Sequence, residues 1–454
     1  YALYANITGN KNTANGYQAL KLNTTGYYNT ANGYQSLLNN TSGHSNTANG
    51  YQSLFSNITG TYNTANGSYA LYSNTTGNNN TANGYAALNS NTSGHSNTAN
   101  GYQSLFSNIT GNRNTATGYE ALYSNTTGYS NTSTGWHSLK FNTTGSSNTG
   151  IGFWALHYNV TGSGCTAVGH SAAQQNRSDN NTAIGFMASR NCSNGTANTA
   201  VGYMALQSNM VSNNTAIGAQ ALHLNTTGHS NTANGSNALI NNTTGHSNTA
   251  NGYQALDNNY GGSFNTAAGY QADVGFGNFF NATALGNGAT VSASNRVKIG
   301  NGFVSRIGGQ VGWSTLSDGR IKENVQEAVP GLSFIAELRP VTYTLNTRKQ
   351  DAINMQAMPD SIQEERMLSD DEYLASSSIV RTGFIAQEVE AAAQKVGFDF
   401  DGVCTPQNET DLYSIRYAEF VVPLVKAMQE QQAMIAEQQK TIDGLLERIE
   451  ALEN

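Results

Sequence analysis

The chain has 454 residues, of which 21 are Lys or Arg and 28 are Asp or Glu, a charged fraction well below the roughly one quarter of ordinary globular proteins. Residues 1–300 carry 8 basic and 4 acidic side chains, and residues 301–454 carry 13 and 24, so two physically different parts meet near residue 300. Neither has the Lys/Arg excess that nucleic acid or an anionic membrane demands, and the first is too poor in carboxylates for the paired acid and base of a glycoside hydrolase.

The three cysteines, Cys165, Cys192 and Cys404, lie too far apart for a disulfide framework or a CxxC metal pair. No run of eighteen apolar residues exists, so no membrane insertion is expected in this segment. No cofactor and no metal are expected. Tyr1-Ala2-Leu3-Tyr4 parallels Tyr119-Glu120-Ala121-Leu122-Tyr123. The chain therefore opens inside a repeat, and an upstream continuation carrying any anchor or targeting signal is expected.

The first part repeats one phrase, such as Asn12-Thr13-Ala14-Asn15-Gly16-Tyr17-Gln18-Ala19-Leu20 followed by Asn23-Thr24-Thr25-Gly26. Equivalent positions run from Asn12, Asn29 and Asn46 through Cys165 and Asn181 to Ala282, 17 residues apart with two steps of 16. A fixed short period means stacked repeats, each touching only its neighbours. Seventeen residues suit strands and turns, and the Gly, Asn and Thr content disfavours helix. The spacing predicts a mostly β fold, a parallel β-solenoid over residues 1–294. Gly16 and its equivalents, through Gly152 to Gly286, mark a tight corner or a close backbone approach. Gly26, Gly43 and Gly60 close a second turn.

Identical side chains of such a stack recur about 4.8 Å apart. One column is apolar, Leu20, Leu37, Leu54 and onward to Leu156, and is assigned to the interior. A second is aromatic, Tyr17, Tyr34 and Tyr51 through Trp136 to Phe153. A third, Asn15, Asn32 and Asn49 through Asn100, is a polar ladder whose amides can bond along the stack. Between residues 151 and 217 it becomes Ile151, Val168, Ile184, Val201 and Ile217, which predicts a drier middle of the shaft. Small inward residues such as Ala14 and Ala19 imply a thin core that association of several chains would complete. The run Asn181-Thr182-Ala183-Ile184-Gly185 resembles the head repeats of trimeric autotransporter adhesins, which implies short β-roll coils packed as trimers.

All eight histidines lie in the shaft, with His44, His95, His229 and His246 at one turn position. Solvated turn histidines are the plain reading, and a metal ring formed by three chains is the sharper alternative. The Asn-x-Thr triplets follow from the repeat and say little about compartment. Repeated threonines leave an ice-binding or carbohydrate-binding solenoid, with a purely structural trimerising tail, as the alternative function. The Thr-x-Thr array of an ice-binding face is not clean, since Thr24-Thr25 sits beside a turn.

Past Gly300 the composition and the period change. Residues 295–316 form a connector, with a short strand expected from Val304 to Gly308. Gly312-Trp313-Ser314-Thr315-Leu316-Ser317-Asp318-Gly319-Arg320-Ile321-Lys322-Glu323-Asn324-Val325 is followed by Leu338-Arg339-Pro340-Val341-Thr342-Tyr343, by Gly383-Phe384-Ile385-Ala386-Gln387-Glu388-Val389, and by Tyr417 through Ala427. These four ordered blocks resemble the intramolecular chaperone auto-processing domains at the C-termini of phage tailspikes and tail fibres, including endosialidases.

The tail has no histidine, so a serine nucleophile there needs another base, and a lysine can serve if burial lowers its pKa. Ser317 and Lys322 are five residues apart across Gly319, and a sharp turn there lets their side chains meet. The resemblance implies Ser317 as nucleophile and Lys322 as base, with the scissile bond between Leu316 and Ser317. Asp318 and Arg320 match the motif as supporting residues that orient the loop or pair with each other. A solvated Ser-Asp turn is the bland reading of the same residues.

Residues 346–378 are expected to form a surface insertion with one or two helices, in which Met355, Met358 and Met367 pack and Gln363-Glu364-Glu365-Arg366 is a charged surface. From Val421 onward, Val421, Met428, Ile435, Ile442 and Ile449 share one heptad position and Leu424, Leu445 and Leu452 the other, with Gln431 and Gln438 interrupting the second. This pattern predicts a C-terminal coiled coil over 421–454 after a small α+β chaperone domain over 317–420. The expected whole is a homotrimeric extracellular fibre or adhesin, on a virion tail or a bacterial cell surface, with a cell-surface or glycan receptor. Its only enzymatic activity would be a single-turnover serine self-cleavage in the tail.

Overall fold

The computed structural model describes residues 1–275, 278–304, 306–356, 360, 363–364 and 367–453. They form two compact units, Tyr1–Ile299 and Gly300–Asn454.

In the first unit each rung contributes a strand of three residues, beginning with Thr13–Asn15, and Val297–Ile299 completes an 18-stranded sheet. Pairing is parallel and in register: Thr30 lies opposite Thr47, Ala31 opposite Ala48 and Asn32 opposite Asn49. The same alignment recurs along the stack, and the unit is the parallel β-solenoid that the period predicts. A corner glycine follows each strand. Gly33 and Gly50 have φ of 140° and 139°, and a Cβ on Gly33 would lie 2.4 Å from the Gly50 carbonyl oxygen. Glycine alone tolerates both the dihedral and the approach.

The middle residue of a strand points inward, and Ala31, Ala48 and Ala65 are fully buried together with Leu20, Leu37 and Leu54. Two buried asparagine columns complete the interior. Asn40 Nδ2 donates to Asn23 Oδ1 at 2.7 Å and to the Gly43 carbonyl at 3.0 Å, while its Oδ1 accepts from Asn57 Nδ2 at 2.8 Å. In the other column the Asn46 backbone N–H donates to Asn29 Oδ1 at 3.0 Å, and Asn46 Nδ2 donates to the Gly60 carbonyl at 2.8 Å. These amides are spent on neighbours one rung away, which is what allows them inside. The sequence reading placed the polar ladder at the Asn15 position. That ladder also forms, with Asn49 Nδ2 donating to Asn66 Oδ1 at 2.8 Å, but on the outer face. Cys165 and Cys192 are buried among the interior asparagines, and burial pushes both thiols above their ordinary pKa, away from the reactive thiolate.

The expected dry middle is corrected. Ile151, Val168, Ile184, Val201 and Ile217 flank the inward residue of their strands, so they face outward, and Ile151, Ile184 and Ile217 are exposed. The aromatic column is also external. Tyr17 and Tyr34 stack with centroids 5.3 Å apart, and Tyr102 and Tyr119 at 5.1 Å.

The second unit gathers short elements around Phe334, Val389 and Phe420, all buried. Strand Val341–Tyr343 pairs antiparallel with Arg381–Gly383, and Val403–Cys404 with Ser414–Ile415. Helix Ala386–Lys395 covers the core with Val389, Ala392 and Ala393. Helices Thr347–Met355 and Asp370–Ser377 occupy the expected insertion, the latter opened by a capping box of Ser369 and Glu372. Met355 is buried and Met367 exposed; Met358, Glu365 and Arg366 lie outside the described residues. The strand expected from Val304 does not form among the described residues, since 304 and 306–308 are irregular. Val421–Glu453 is a single helix of 33 residues.

Candidate active site

Asp318 builds the turn that carries the candidate residues. Its carboxylate accepts the Arg320 backbone N–H at 2.9 Å and so caps the single 3-10 turn Gly319–Ile321. The Arg320 guanidinium returns to the same carboxylate, with Nε 3.1 and 3.0 Å from its two oxygens. The Arg320 guanidinium hydrogen bond, with that from its backbone, holds the Asp318 carboxyl below its ordinary pKa. Lys322 ends the turn, its backbone N–H on the Gly319 carbonyl at 3.4 Å. A Cβ on Gly319 would meet nothing within 4 Å, so the turn needs the Asp318 cap more than it needs a glycine.

The turn sets Lys322 Nζ 2.7 Å from Ser317 Oγ. Both side chains face solvent, as does Leu316 on the other side of the Leu316–Ser317 bond, at 80% exposure. Trp313 at 90% and Val311, Ile321 and Val325 are exposed as well. All four motif residues, Ser317, Asp318, Arg320 and Lys322, are therefore together, but on a strip whose apolar side chains lack cover within the chain. In this geometry Lys322 Nζ donates to the serine hydroxyl. Proton transfer from the serine requires the amine to lose a proton first, which desolvation favours.

The other three blocks meet each other. Arg339 grips Glu388 through two hydrogen bonds, Nε at 3.1 Å and Nη2 at 2.5 Å. The Phe384 N–H donates to Tyr417 Oη at 3.1 Å, and a Cβ on Gly383 would sit 2.1 Å from that oxygen, which explains the Gly-Phe pair. Glu430 of the long helix accepts the Leu332 N–H at 2.7 Å, tying that helix to the core. Sequence reasoning missed the Glu430 link, since a surface glutamate 98 residues away in sequence carries no local signal.

In the shaft, His44, His95, His229 and His246 lie at the surface, each ring nitrogen Nδ1 3.2–3.3 Å from the following serine hydroxyl. Among the described residues no three His, Cys, Asp or Glu side chains converge on a point that could hold a metal, and no helix is long and apolar enough to cross a membrane.

No curated protein matches the chain at a significant level. Residues 317–398 match the family described as chaperone of endosialidase, beginning at Ser317 itself. The C-terminal unit thus contains a region similar to the endosialidase-chaperone family, which supports an intramolecular-chaperone role for it in a chain whose other unit is a long β-solenoid.

Proposed function

We propose that the chain is a homotrimeric extracellular fibre of phage-tail or bacterial-surface type, with the solenoid as shaft and the C-terminal unit as the chaperone that gathers three copies. The observation that carries this reading is the helix Val421–Glu453, which follows the family match and leaves Met428, Ile435, Ile442, Leu445 and Ile449 exposed along one side. An apolar stripe at heptad spacing along an exposed helix finds cover in other copies of itself. The trimer number comes from the family and not from the heptads, where Ile and Leu placement alone favours two strands. Light scattering of the full chain tests the reading: a mass of three chains is expected, and a single-chain mass overturns it. A cell-surface or glycan receptor is the partner such a fibre would meet.

Assembly covers the exposed strip around Trp313 and Leu316 and desolvates Lys322. The neutral amine then takes the Ser317 hydroxyl proton as Oγ attacks the Leu316 carbonyl carbon. The C–O bond forms, the C–N bond breaks, and the proton passes to the freed Ser317 amine. Water hydrolyses the resulting ester, leaving a Leu316 carboxylate and an intact Ser317 hydroxyl. Asp318 and Arg320 hold the turn and take no part in the bond changes.

A second reading has one observation in its favour. The first residue of every rung strand from Thr13 to Thr266 is a threonine, stacked in register, a regular hydroxyl column suited to an ice-binding face. Thermal hysteresis in the purified chain would support it, and freezing at the buffer's own temperature would remove it.

A further inference from the structure

The outer face of the shaft's sheet changes character along its length. It becomes apolar over a bounded stretch in the middle and again at the C-terminal end, where Ala268, Leu285 and Ile299 share the same column. At the N-terminal end the outward column is asparagine, and its amides satisfy one another: Asn32 Nδ2 to Asn49 Oδ1 is 2.9 Å, and Asn66 to Asn83 and Asn83 to Asn100 are 2.8 Å. Over five successive rungs the column is instead Ile151, Val168, Ile184, Val201 and Ile217, paired in register in adjacent parallel strands. Ile151, Ile184 and Ile217 remain 40, 40 and 42% exposed. Across the corner glycines lie Phe153, Phe186 and Tyr203, also exposed. Thr134 precedes the strip and Asn234 follows it. Single exposed apolar residues are ordinary, but a contiguous in-register strip marks a contact surface.

We propose that this strip is where the shaft meets the same strip of a second copy of the chain, and that its restriction to five rungs sets the register between copies. The inference rests on the self-association proposed above. Copies gathered side by side in one direction present identical rungs at the same height, so each strip finds a surface of its own length and chemistry. The five strands span only about 20 Å at about 4.8 Å per strand. That is small against the roughly 800 Å² per partner that stable interfaces bury, so the strip aligns copies already held together by their tails. Over Asn32–Asn100 a slip by one rung sets asparagine against asparagine and changes nothing. At the strip the same slip leaves an isoleucine facing Thr134 at one end and Asn234 facing an isoleucine at the other, polar groups desolvated without partners. A repeated face has no preferred register, and a bounded apolar block supplies one.

The test uses the full chain carrying Cys404→Ser, since Cys165 and Cys192 are buried and silent. Thr182→Cys places a thiol at the outward position beside Ile184 and leaves the strip intact; Asn194→Cys places one in the exposed turn of the same rung. Mild oxidation should link copies through position 182 and not through 194. Co-expressed Thr182→Cys and Thr199→Cys chains, one rung apart, should give 182–182 and 199–199 links and almost no 182–199 link. Ile184→Cys is the second reporter should Thr182→Cys fold poorly. A chain of three-copy mass that links at 194 and not at 182 or 184 overturns the strip and leaves self-association standing. Abundant 182–199 links overturn the register role. A single-chain mass by light scattering removes both readings together.

Discussion

Lys322 Nζ lies 2.7 Å from Ser317 Oγ across a 3-10 turn of three residues, with both side chains open to solvent. The pair is in contact while open to solvent, so in the proposed self-cleavage the step that starts chemistry is desolvation and not approach. Cleavage is therefore expected only in the assembled chain. It should give residues 317–454, 138 of the 454, a fragment of about 15 kDa from the 48.1 kDa chain, with Ser317 at its N-terminus. Ser317→Ala and Lys322→Ala should each leave the chain whole yet assembled. N-terminal sequencing of the small fragment checks the site; another first residue, or undiminished cleavage in Lys322→Ala, contradicts the dyad.

On the proposed mechanism Asp318 acts through the turn and not on the reacting bond. Asp318→Ala should slow cleavage, by roughly tenfold on the scale of a lost positioning contact, without changing the cut position. Its carboxyl is depressed by Arg320, so the cap is fully present above the ordinary carboxylate pKa of about 4 and is lost only as pH falls below that through the lowered folded value. The pH dependence of the rate between pH 5 and 8 should therefore carry no contribution from Asp318. A carboxylate-like inflection in that window that vanishes in Asp318→Ala would contradict this.

The interior of the shaft is held by amides as much as by leucines. Asn74 Nδ2 donates to Asn57 Oδ1 at 2.8 Å and to the Gly77 carbonyl at 3.1 Å, and its Oδ1 accepts from Asn91 at 2.8 Å. Asn74→Ala removes three hydrogen bonds and strands the buried Asn57 Oδ1, while the Gly77 carbonyl keeps Asn63 Nδ2 at 2.8 Å and Asn91 Nδ2 keeps the Gly94 carbonyl at 3.0 Å. At about 1–3 kcal/mol for an unsatisfied group, it should cost roughly that much in denaturant unfolding. The corner glycine Gly84 has φ of 139° with a virtual Cβ 2.5 Å from the Gly101 carbonyl oxygen. Gly84→Ala should be worse still. A variant of either kind that unfolds at the wild-type midpoint would contradict the packing.

In the shaft's middle, Trp154 Nε1 donates to His137 Nδ1 at 3.3 Å, and His137 Nε2 lies 3.0 Å from the Glu120 carboxylate, which Lys140 also meets at 2.6 Å. Burial, with Lys140 adding to it, lowers the His137 pKa against the opposing pull of Glu120. A histidine held neutral contributes stability above its unfolded pKa of about 6.5, lost as pH falls from there toward the lowered folded value. Protonating Nδ1 also ends its acceptance from Trp154. Tryptophan fluorescence should change reversibly below about pH 6.5 in the wild type and much less in His137→Gln.

The period of 17 residues made the rungs, the interior leucines Leu20 to Leu156 and the corner glycines readable, because strict repetition puts like residues in register. Which asparagines lie inside was not readable, since each rung offers several and the path of the turns decides. That path depends on left-handed residues such as Gln18 and Leu20, with φ of 57° and 49°, a conformation leucine does not advertise. The outward aim of Ile151 and Ile184 follows from their place beside the inward alanine, yet their apolar character pointed the other way. In the tail the four motif residues were legible from the blocks that surround them. The exposure of Leu316 and Trp313 was not, since it depends on what the rest of the unit leaves uncovered.

The central claim is that the C-terminal unit gathers the chains. The most direct measurement is the mass in solution, by light scattering, of residues 301–454 and of residues 1–300 expressed separately. The account predicts a three-chain mass for the tail, and for the shaft alone no regular three-chain species. A monomeric tail, or a well-behaved trimeric shaft made without it, would contradict the account.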